Sequence, residues 1–362
     1  MIEEFDIAVV GSGAAGIAAA ISAARAGCST LLLDQKTEAG GTGGFSGLTT
    51  LCGLYDDEGR MLNNGLTKEF AESLRETESV QMGRVWVLPY RPIRFREVAE
   101  RLIQATSNIQ PRWNTALSAV STEKNRIKSL NGLKVRAAID CTGTAEVARA
   151  VGANCLATDD STQAPAIIFP LHSVTRDLTT AAAATQVMLP LARAGFPPLS
   201  FQPCLDNHAT VVKFTGAADQ VPQLIDFLRN NISGFEKCAT RLTQFEPARR
   251  AGRMIVGKYL LTGADVLNGR KFPGAVARCA WPIEQWDTQG RVRLRYLPEH
   301  TYYEIPAGCL RAALVENLFM AGKTISADVD AIASARVMGC CLATGAAAGK
   351  LAADWLHSSQ KQ

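Results

Sequence analysis

The first 34 residues alternate apolar runs with a glycine-rich turn in an order that predicts a β-turn-α-β unit. A mostly apolar run at residues 5–10 is typical of a buried parallel strand. Residues 17–26 are rich in alanine and predict a helix that ends at Gly27. A second apolar run at residues 29–33 predicts a neighbouring strand, which ends at Asp34.

Further along the chain, two amphipathic patterns predict helices and a turn-rich stretch predicts a small meander. The helices are expected at residues 66–78 and 93–107. Residues 116–135 combine short apolar runs with Asn-Arg and Asn-Gly turns, which indicates antiparallel strands. Another hydrophobic strand is expected at residues 136–140, leading into Cys141.

The pattern changes at about residue 154 and changes back before the C-terminus. The intervening stretch mixes strand and helix patterns with scattered prolines. After about residue 304 the first style returns, with a strand expected at residues 317–321 and a long small-residue helix at about 334–355. The sequence predicts an α/β fold made of a discontinuous cofactor-binding domain (1–153 and 293–362) and an inserted mixed α+β substrate or cap domain (154–292).

Composition and charge are those of an ordinary globular protein. The 362 residues are 47% hydrophobic and 20% charged, and the net charge is only +4. The basic residues are spread along the chain, which argues against nucleic acid binding and leaves an anionic substrate open. The ten cysteines include no Cys-x-x-Cys, so we expect neither a metal site nor a redox dithiol.

The uncharged segment at residues 7–24 has to be distinguished from a signal peptide or a membrane span. Acidic residues precede it, which is the reverse of the positive start of a signal peptide. Its glycines and alanines also make it too weakly apolar for a span. We therefore expect a cytoplasmic protein without a membrane span.

A Gly-x-Gly-x-x-Gly motif fills the turn of the first unit, and an acid follows 18 residues after its last glycine. This is the dinucleotide-binding fingerprint: a tight turn, a close approach to the pyrophosphate, and a helix N-terminus that faces it. The acid would bind ribose hydroxyls and repel a 2′-phosphate, which disfavours NADP. The expected cofactor contacts in this unit are Gly11, Ser12, Gly13, Ala14, Ala15, Gly16, Asp34 and Gln35.

Downstream motifs resemble those of the glutathione-reductase-like flavoproteins. A Gly-Gly-Thr segment follows the acid at residues 40–42, a strand ends Ile-Asp-Cys-Thr-Gly at residues 139–143, and a late strand ends Ala-Gly-Lys at residues 321–323. The resemblance implies FAD in a glutathione-reductase-type, Rossmann-like domain. It implies further FAD contacts at Gly41, Thr42, Gly43, Cys141, Thr142, Gly143, Gly322, Ser334 and Ala335.

A narrower resemblance covers nearly the whole chain. The segments at residues 40–56 and 249–267 and the glycine-rich C-terminal segment are similar to those of the bacterial FAD-dependent oxidoreductase family. Two positions depart from that pattern. Lys323 stands where arginine is more usual, and Trp286-Asp287 lies where a histidine would be expected. The resemblance implies a cofactor and a reaction type, and no particular substrate.

Three residues are candidates for the catalytic site. His300 lies just before the last strands and has a side chain suited to proton transfer. Tyr302 could bind substrate, although aromatic residues in such a run more often pack a strand. Arg336 could hold the flavin or an anionic substrate, or pair with a nearby carboxylate such as Asp330. Cys52 is expected to be a packed thiol, with a redox or covalent role as its alternative.

No second dinucleotide motif is present, so a dedicated NAD(P)H domain is not expected. Electrons would then pass to oxygen, a quinone or a protein carrier. The leading hypothesis is a dehydrogenase or oxidase that passes a hydride from a small molecule, anionic or aromatic, to flavin N5. The first alternative is a monooxygenase or halogenase-like hydroxylase that acts on an aromatic compound or a protein side chain. The second is a non-catalytic redox sensor or partner protein.

Overall fold

The computed structural model describes residues 3–158, 163–178, 181–206, 209–242, 247–287, 289 and 291–359. The strands in these residues are β1 (Glu4–Val10), β2 (Thr30–Leu33), β3 (Thr50–Cys52), β4 (Val80–Met82), β5 (Val85–Pro89), β6 (Ile109–Arg112), β7 (Val120–Glu123), β8 (Arg126–Leu130), β9 (Leu133–Asp140), β10 (Cys155–Ala157), β11 (Ile167–His172), β12 (Leu199–Gln202), β13 (Ala209–Phe214), β14 (Arg253–Ile255), β15 (Ala275–Cys279), β16 (Ile283–Trp286), β17 (Val292–Arg295), β18 (Tyr303–Pro306) and β19 (Leu318–Met320). The α-helices are α1 (Ala14–Arg25), α2 (Gly41–Phe45), α3 (Leu66–Leu74), α4 (Pro92–Gln104), α5 (Glu146–Ala150), α6 (Ala181–Arg193), α7 (Val221–Asn231), α8 (Gly263–Leu267), α9 (Val329–Ala335) and α10 (Met338–Ser359).

A mostly parallel sheet carries the N-terminal unit. Strands β6, β2, β1 and β9 lie side by side and run parallel, and β19 pairs in parallel with the end of β9. The hairpin strands β8 and β7 extend the sheet beyond the start of β9. Both faces of β1 are covered, because Ile7, Ala8 and Val9 are fully buried. Its continuous apolar run is thus that of a central parallel strand, as the pattern predicted.

Helices α1 and α10 pack together on one face of this sheet, and small residues let their backbones meet. A Cβ at Gly345 would lie 2.1 Å from the carbonyl oxygen of Ala15, and one at Gly349 would lie 2.3 Å from that of Ala19. The alanine and glycine content of both helices is therefore a packing requirement, since bulkier side chains would push the helices apart.

The long C-terminal helix begins later than the sequence suggested. The pattern predicted a start near Ser334, but Ser334 lies in α9, and α10 begins at Met338 after a bend of 96°. Asp328 starts α9 as its N-cap by accepting the Ala331 N–H at 2.7 Å. A Cβ at Gly339 would lie 2.5 Å from the backbone of Gly53, so the start of α10 is fixed by that contact.

A second antiparallel sheet, in the order β11-β13-β12, lies in the middle of the chain with helices α6 and α7. These elements share a hydrophobic cluster of their own, drawn from residues 167–238. Most of the buried hydrophobic residues between Met254 and Leu310 belong instead to the cluster that contains α1 and α10. The domain boundaries at residues 154 and 292 stay a prediction.

Among the residues that the structure describes, no single helix is both long and apolar enough to cross a membrane. The bent pair α9 and α10 meets that criterion only when the two are taken together, by length and composition.

Replacing Gly345 with alanine tests the contact between α1 and α10. On an exposed helix this change stabilises by up to about 1 kcal/mol. Here the new Cβ would meet the Ala15 carbonyl oxygen, so we expect the free energy of unfolding to fall by about 1–3 kcal/mol. Urea unfolding measures it, with the exposed Lys350→Ala of the same helix as control. An increase in stability for Gly345→Ala would show that the two backbones are not in close contact.

Candidate active site

The turn between β1 and α1 is compressed at two positions to a degree that requires glycine. Gly11 has a φ of +96°, and a Cβ there would lie 2.6 Å from the carbonyl oxygen of Cys141. A Cβ at Gly16 would lie 1.7 Å from the Gly11 carbonyl oxygen. These two glycines bring the start of α1 against the ends of β1 and β9.

The middle glycine of the motif, Gly13, faces open space. Apart from its chain neighbours, the one heavy atom of the described residues within 4 Å of a Cβ there is the Cα of Gly41, at 3.9 Å. Gly13 is also the N-cap of α1, and neither a side-chain cap nor a first-turn acid meets the free N–H groups of that helix. The position can therefore accept an anion such as a pyrophosphate, because helix N–H groups and the positive end of the dipole point towards it.

The end of β2 is tied to this turn by Asp34. One oxygen of its carboxylate, Oδ2, accepts the backbone N–H of Ser12 at 2.6 Å and its hydroxyl at 2.7 Å. The other, Oδ1, accepts the N–H of Lys36 at 2.8 Å. Gln35 is exposed beside it. The predicted acid therefore lies directly at the glycine turn and orders its backbone.

The ends of β9 and β19 meet on the other side of the turn. The buried carboxylate of Asp140 accepts the N–H and hydroxyl of Thr142, at 3.1 and 2.8 Å, and two backbone N–H groups of α5. Burial nevertheless raises the pKa of Asp140. A Cβ at Gly143 would lie 2.7 Å from Cε of Lys323, and one at Gly322 would lie 2.8 Å from the Ala15 side chain. The glycine turn and the motifs at residues 139–143 and 321–323 thus converge on one edge of the sheet.

Helix α2 and the start of α10 approach each other through a buried tyrosine. The Tyr90 hydroxyl donates to the carbonyl oxygen of Gly43 at 2.9 Å and lies 4.0 Å from Sδ of Met338. Thr42, in the first turn of α2, is exposed. The edge that holds the glycine turn therefore continues along α2 to the N-terminus of α10.

Ser334 and Ala335, at the end of α9, are fully buried. The Ser334 hydroxyl is shared with the Tyr303 hydroxyl at 2.8 Å and donates to the carbonyl oxygen of Trp281 at 2.5 Å. The side chain of Ser334 is thus occupied by protein partners and fixes α9 to the strands beside it.

Beside the start of α10 lies a group of charged side chains that we call the cation cluster: Lys213, Arg250, Arg336 and Glu284. Lys213 Nζ lies 3.8 Å from Glu284 Oε1, and their side chains are only 15% and 13% exposed. Arg336 donates through Nη2 to Gln163 Oε1 at 3.3 Å and to the Glu284 carbonyl oxygen at 3.1 Å. Its Nε is buried and has no hydrogen-bond partner among the described residues.

Two indoles complete the cluster. Trp281 donates from Nε1 to Glu284 Oε2 at 2.9 Å, and Trp286 donates to Glu284 Oε1 at 2.6 Å. Lys213 Nζ and Arg250 Cζ each lie 4.2 Å from the ring centroid of Trp286. These contacts stabilise the two cations on the π face while the ring edge binds the carboxylate.

Burial and charge together set the protonation states of the cluster. Burial lowers the pKa of Lys213 to about 8, against the opposing effect of Glu284. Burial also lowers the pKa of Arg250 to about 9, with Arg336 adding to that effect. Burial by itself raises the pKa of Glu284, but the positive charges of Lys213 and Arg336 outweigh this effect and lower the pKa to about 2. The cluster therefore holds three cationic groups against one carboxylate, and Lys213 is the member that titrates closest to neutral pH.

The half-buried thiol of Cys52 lies at the end of β3, near this cluster. Burial raises its pKa to about 12. A thiol with so high a pKa stays protonated near neutral pH and is a weak nucleophile. This environment favours the packed role over the redox one.

The three predicted catalytic residues do not lie together. Arg336 belongs to the cation cluster. His300 is on the surface, 69% exposed, with Nδ1 3.5 Å from Glu58 Oε1. Tyr302 is partly exposed, and Lys271 Nζ lies 3.3 Å from its ring centroid. The contacts recorded for His300 and Tyr302 among the described residues do not include members of the cluster.

Lys213, Arg250 and Glu284 were not singled out from the sequence. A signal was present in Lys213, a lone charge among the apolar residues of β13, and in Glu284, an acid between Trp281 and Trp286. A single charge in a strand is nevertheless usual on a solvent-facing side, so only the fold brings these residues together.

Several solved structures share this fold. A geranylgeranyl bacteriochlorophyll reductase-like protein from Thermoplasma acidophilum matches at 14% identity, with a TM-score of 0.51, over 100% of this chain and 80% of its own. The p-nitrophenol 4-monooxygenase PnpA from Pseudomonas putida DLL-E4 matches at 10% identity with a TM-score of 0.51, and the match covers 100% of this chain and 81% of PnpA. GidA from Aquifex aeolicus matches at 13% identity with a TM-score of 0.53. The match covers 98% of this chain and 64% of GidA, so the chain spans less than two thirds of GidA. At these identities the likeness is one of fold.

No curated protein matches the chain by sequence. A protein-family model described as FAD dependent oxidoreductase does match, at residues 6–202 and 207–361. The match takes in the glycine turn, Asp34, the end of β9 and all of the cation cluster. The chain therefore belongs to the family of FAD dependent oxidoreductases and is an enzyme that uses FAD.

Proposed function

We propose that this FAD-dependent enzyme is a dehydrogenase or oxidase of a small molecule, with Lys213 as the proton acceptor. The observation that carries the proposal is a largely buried amine with a pKa of about 8, whose nitrogen lies 3.8 Å from a carboxylate oxygen of Glu284 and close to the start of α10. An amine with that pKa can accept a proton near neutral pH and return it to solvent after turnover.

The residues at the edge of the sheet fit FAD. Gly13 leaves an open face at the N-terminus of α1, where a side chain would obstruct a pyrophosphate. Asp34 lies where it can accept ribose hydroxyls while it holds Ser12. We assign FAD binding to Gly11, Ser12, Gly13, Ala14, Ala15, Gly16, Asp34, Gln35, Gly41, Thr42, Gly43, Cys141, Thr142, Gly143 and Gly322, with Ser334 and Ala335 supporting the end of the cofactor from behind.

The start of α10 gives this edge its second favourable feature. A flavin, when bound, supplies an acceptor for a hydride and becomes negatively charged on reduction. The N-terminus of a 22-residue helix and the guanidinium of Arg336 beside it stabilise such a charge. Arg336 keeps its predicted place among the catalytic candidates. His300 and Tyr302, with contacts to Glu58 and Lys271, stay predictions without support from the cluster.

The reaction balances as a two-electron oxidation. FAD, held by the residues assigned above, would supply the acceptor for a hydride from the substrate carbon. The neutral amine of Lys213 accepts the proton from the O–H or N–H group of the substrate and then releases it to solvent. The two electrons and the proton of the hydride would pass on to an external acceptor of the oxygen, quinone or protein-carrier class. Glu284 stays ionised throughout, because its pKa of about 2 lies far below working pH, and it stabilises the protonated Lys213.

Hydroxylation is the rival function with the same cofactor site. PnpA, which shares the fold, is a monooxygenase by name, but at 10% identity this likeness does not choose between the two reactions. The choice is made by following the oxygen. Labelled dioxygen enters the product of a hydroxylase, whereas a dehydrogenase or oxidase leaves the product unlabelled. Labelled product would overturn the proposal.

Replacing Asp34 with alanine tests the FAD site. The change removes a ribose ligand and frees the Ser12 N–H and hydroxyl, so we expect FAD to bind about 10- to 100-fold more weakly. The Kd of FAD for the apoprotein, measured by flavin fluorescence, gives the result. The exposed Asp354→Asn is the matched control. Equal affinities in the two variants would place the ribose elsewhere.

Replacing Lys213 with methionine tests the proton acceptor. Burial lowers the pKa of Lys213, so its neutral, proton-accepting form grows as pH rises through about 8. We expect kcat/KM of the unaltered enzyme to rise over that interval and then level off. In Lys213→Met we expect kcat/KM to fall by at least about 100-fold and its rise with pH to be lost. The substrate comes from an anaerobic screen of hydroxy acids, amines, sugars and phenols for flavin bleaching.

The exposed Lys350→Met is the control and should keep the unaltered profile. Glu284→Gln removes the negative charge that raises the pKa of Lys213. In this variant the rise of kcat/KM with pH should therefore move to lower pH. A Lys213→Met enzyme that keeps the rise near pH 8 would rule out Lys213 as the acceptor.

A further inference from the structure

Among the residues that the structure describes, the cation cluster contains more positive charge than its neighbours balance. Glu284 is the carboxylate that acts on all three cations, and both of its oxygens already accept indole N–H groups. Lys213 lies 3.8 Å from it, beyond hydrogen-bond distance. In the described part of the chain, two guanidinium groups and an amine thus share this low-exposure region with one carboxylate.

Arg336 shows the imbalance most clearly. Its Nη2 donates to two neutral oxygens, those of the Gln163 amide and the Glu284 backbone, rather than to a carboxylate. Its Nε is buried and has no hydrogen-bond partner among the described residues. A buried guanidinium donor without a partner is costly, and such donors are satisfied by oxyanions that bind two N–H groups at once.

The cluster also joins the sheet β11-β13-β12 to the start of α10. Lys213 comes from β13, Glu284 from β16, and Arg336 from the bend between α9 and α10. A ligand bound here would therefore contact both the middle sheet and the start of α10, where we place the end of the cofactor.

We propose that the cation cluster is the binding site for an oxyanion group of the substrate, a carboxylate or a phosphate, held chiefly by Arg336 with Arg250 adding charge. This inference rests on the proposed function and deepens it, since it sets an acidic substrate with its oxidised carbon near Lys213. Both carboxylate oxygens of Glu284 are bound by the indoles, so Glu284 does not take the place of a substrate oxyanion on Arg336. Glu284 instead keeps the two indoles and Lys213 in position.

The test uses the FAD-loaded, oxidised enzyme and needs no turnover. Benzoate and phenyl phosphate serve as oxyanion probes, and benzamide serves as a neutral probe of nearly the same shape as benzoate. Calorimetric titration at pH 7 should show binding of at least one oxyanion probe and binding of benzamide at least about 10-fold weaker. Benzamide binding as tightly as both oxyanion probes, or no oxyanion binding at all, would overturn the proposal.

Variants assign the binding to Arg336. In Arg336→Gln the Kd of the bound oxyanion should rise about 10- to 100-fold, while Arg336→Lys, which keeps the charge, should be intermediate. Arg293→Gln, on the exposed strand β17, is the control and should bind as the unaltered enzyme does. Equal Kd values for Arg336→Gln and Arg293→Gln, with FAD retained in both, would contradict the assignment.

The two proposals fail in different ways. If the enzyme binds oxyanions but no acidic compound in the anaerobic screen bleaches its flavin, the binding site stands and the dehydrogenase function fails. If an uncharged compound bleaches the flavin and no oxyanion binds, the function stands and this inference fails.

Discussion

Close contact of backbone with backbone at the start of α1 shapes the edge of the sheet at which we propose that FAD binds. Gly16 brings the helix to within van der Waals distance of Gly11, and Gly345 brings α10 against the same end of α1. A single methyl group at either position would lie about 2 Å from a carbonyl oxygen. Because both helices are held in this way, the start of α10 lies near the start of α1, at the edge of the sheet where we propose that FAD binds.

The second constraint is electrostatic and arises where the middle sheet meets the start of α10. Lys213, Arg250 and Arg336 lie in a region of low exposure. Desolvation there lowers the pKa of each cation, and repulsion between like charges opposes their close approach. Glu284 compensates part of that cost and two indoles bind both of its oxygens. Such an arrangement is unfavourable for folding alone, and strongly perturbed groups of this kind concentrate at functional sites.

The sequence alone predicted the features that depend on neighbours along the chain. The β-turn-α-β unit, the β9 strand and the dinucleotide fingerprint each lie within about 30 residues, and the family match supports the cofactor that they imply. The start of α10 was misplaced, since the N-cap Asp328 and the contact at Gly339 were not recognised. The cation cluster could not be predicted, because Lys213, Glu284 and Arg336 come from distant segments and only the fold brings them together.

These two constraints meet at one place, because we propose that the reactive end of the cofactor lies between the start of α10 and the cation cluster. A crystal structure of the FAD-loaded enzyme would test it directly. We expect the pyrophosphate at Gly13, the ribose at Asp34, and the flavin ring beside Met338 with one side towards Lys213. A flavin ring that pointed away from Glu284 and Lys213, towards the surface around His300, would contradict it.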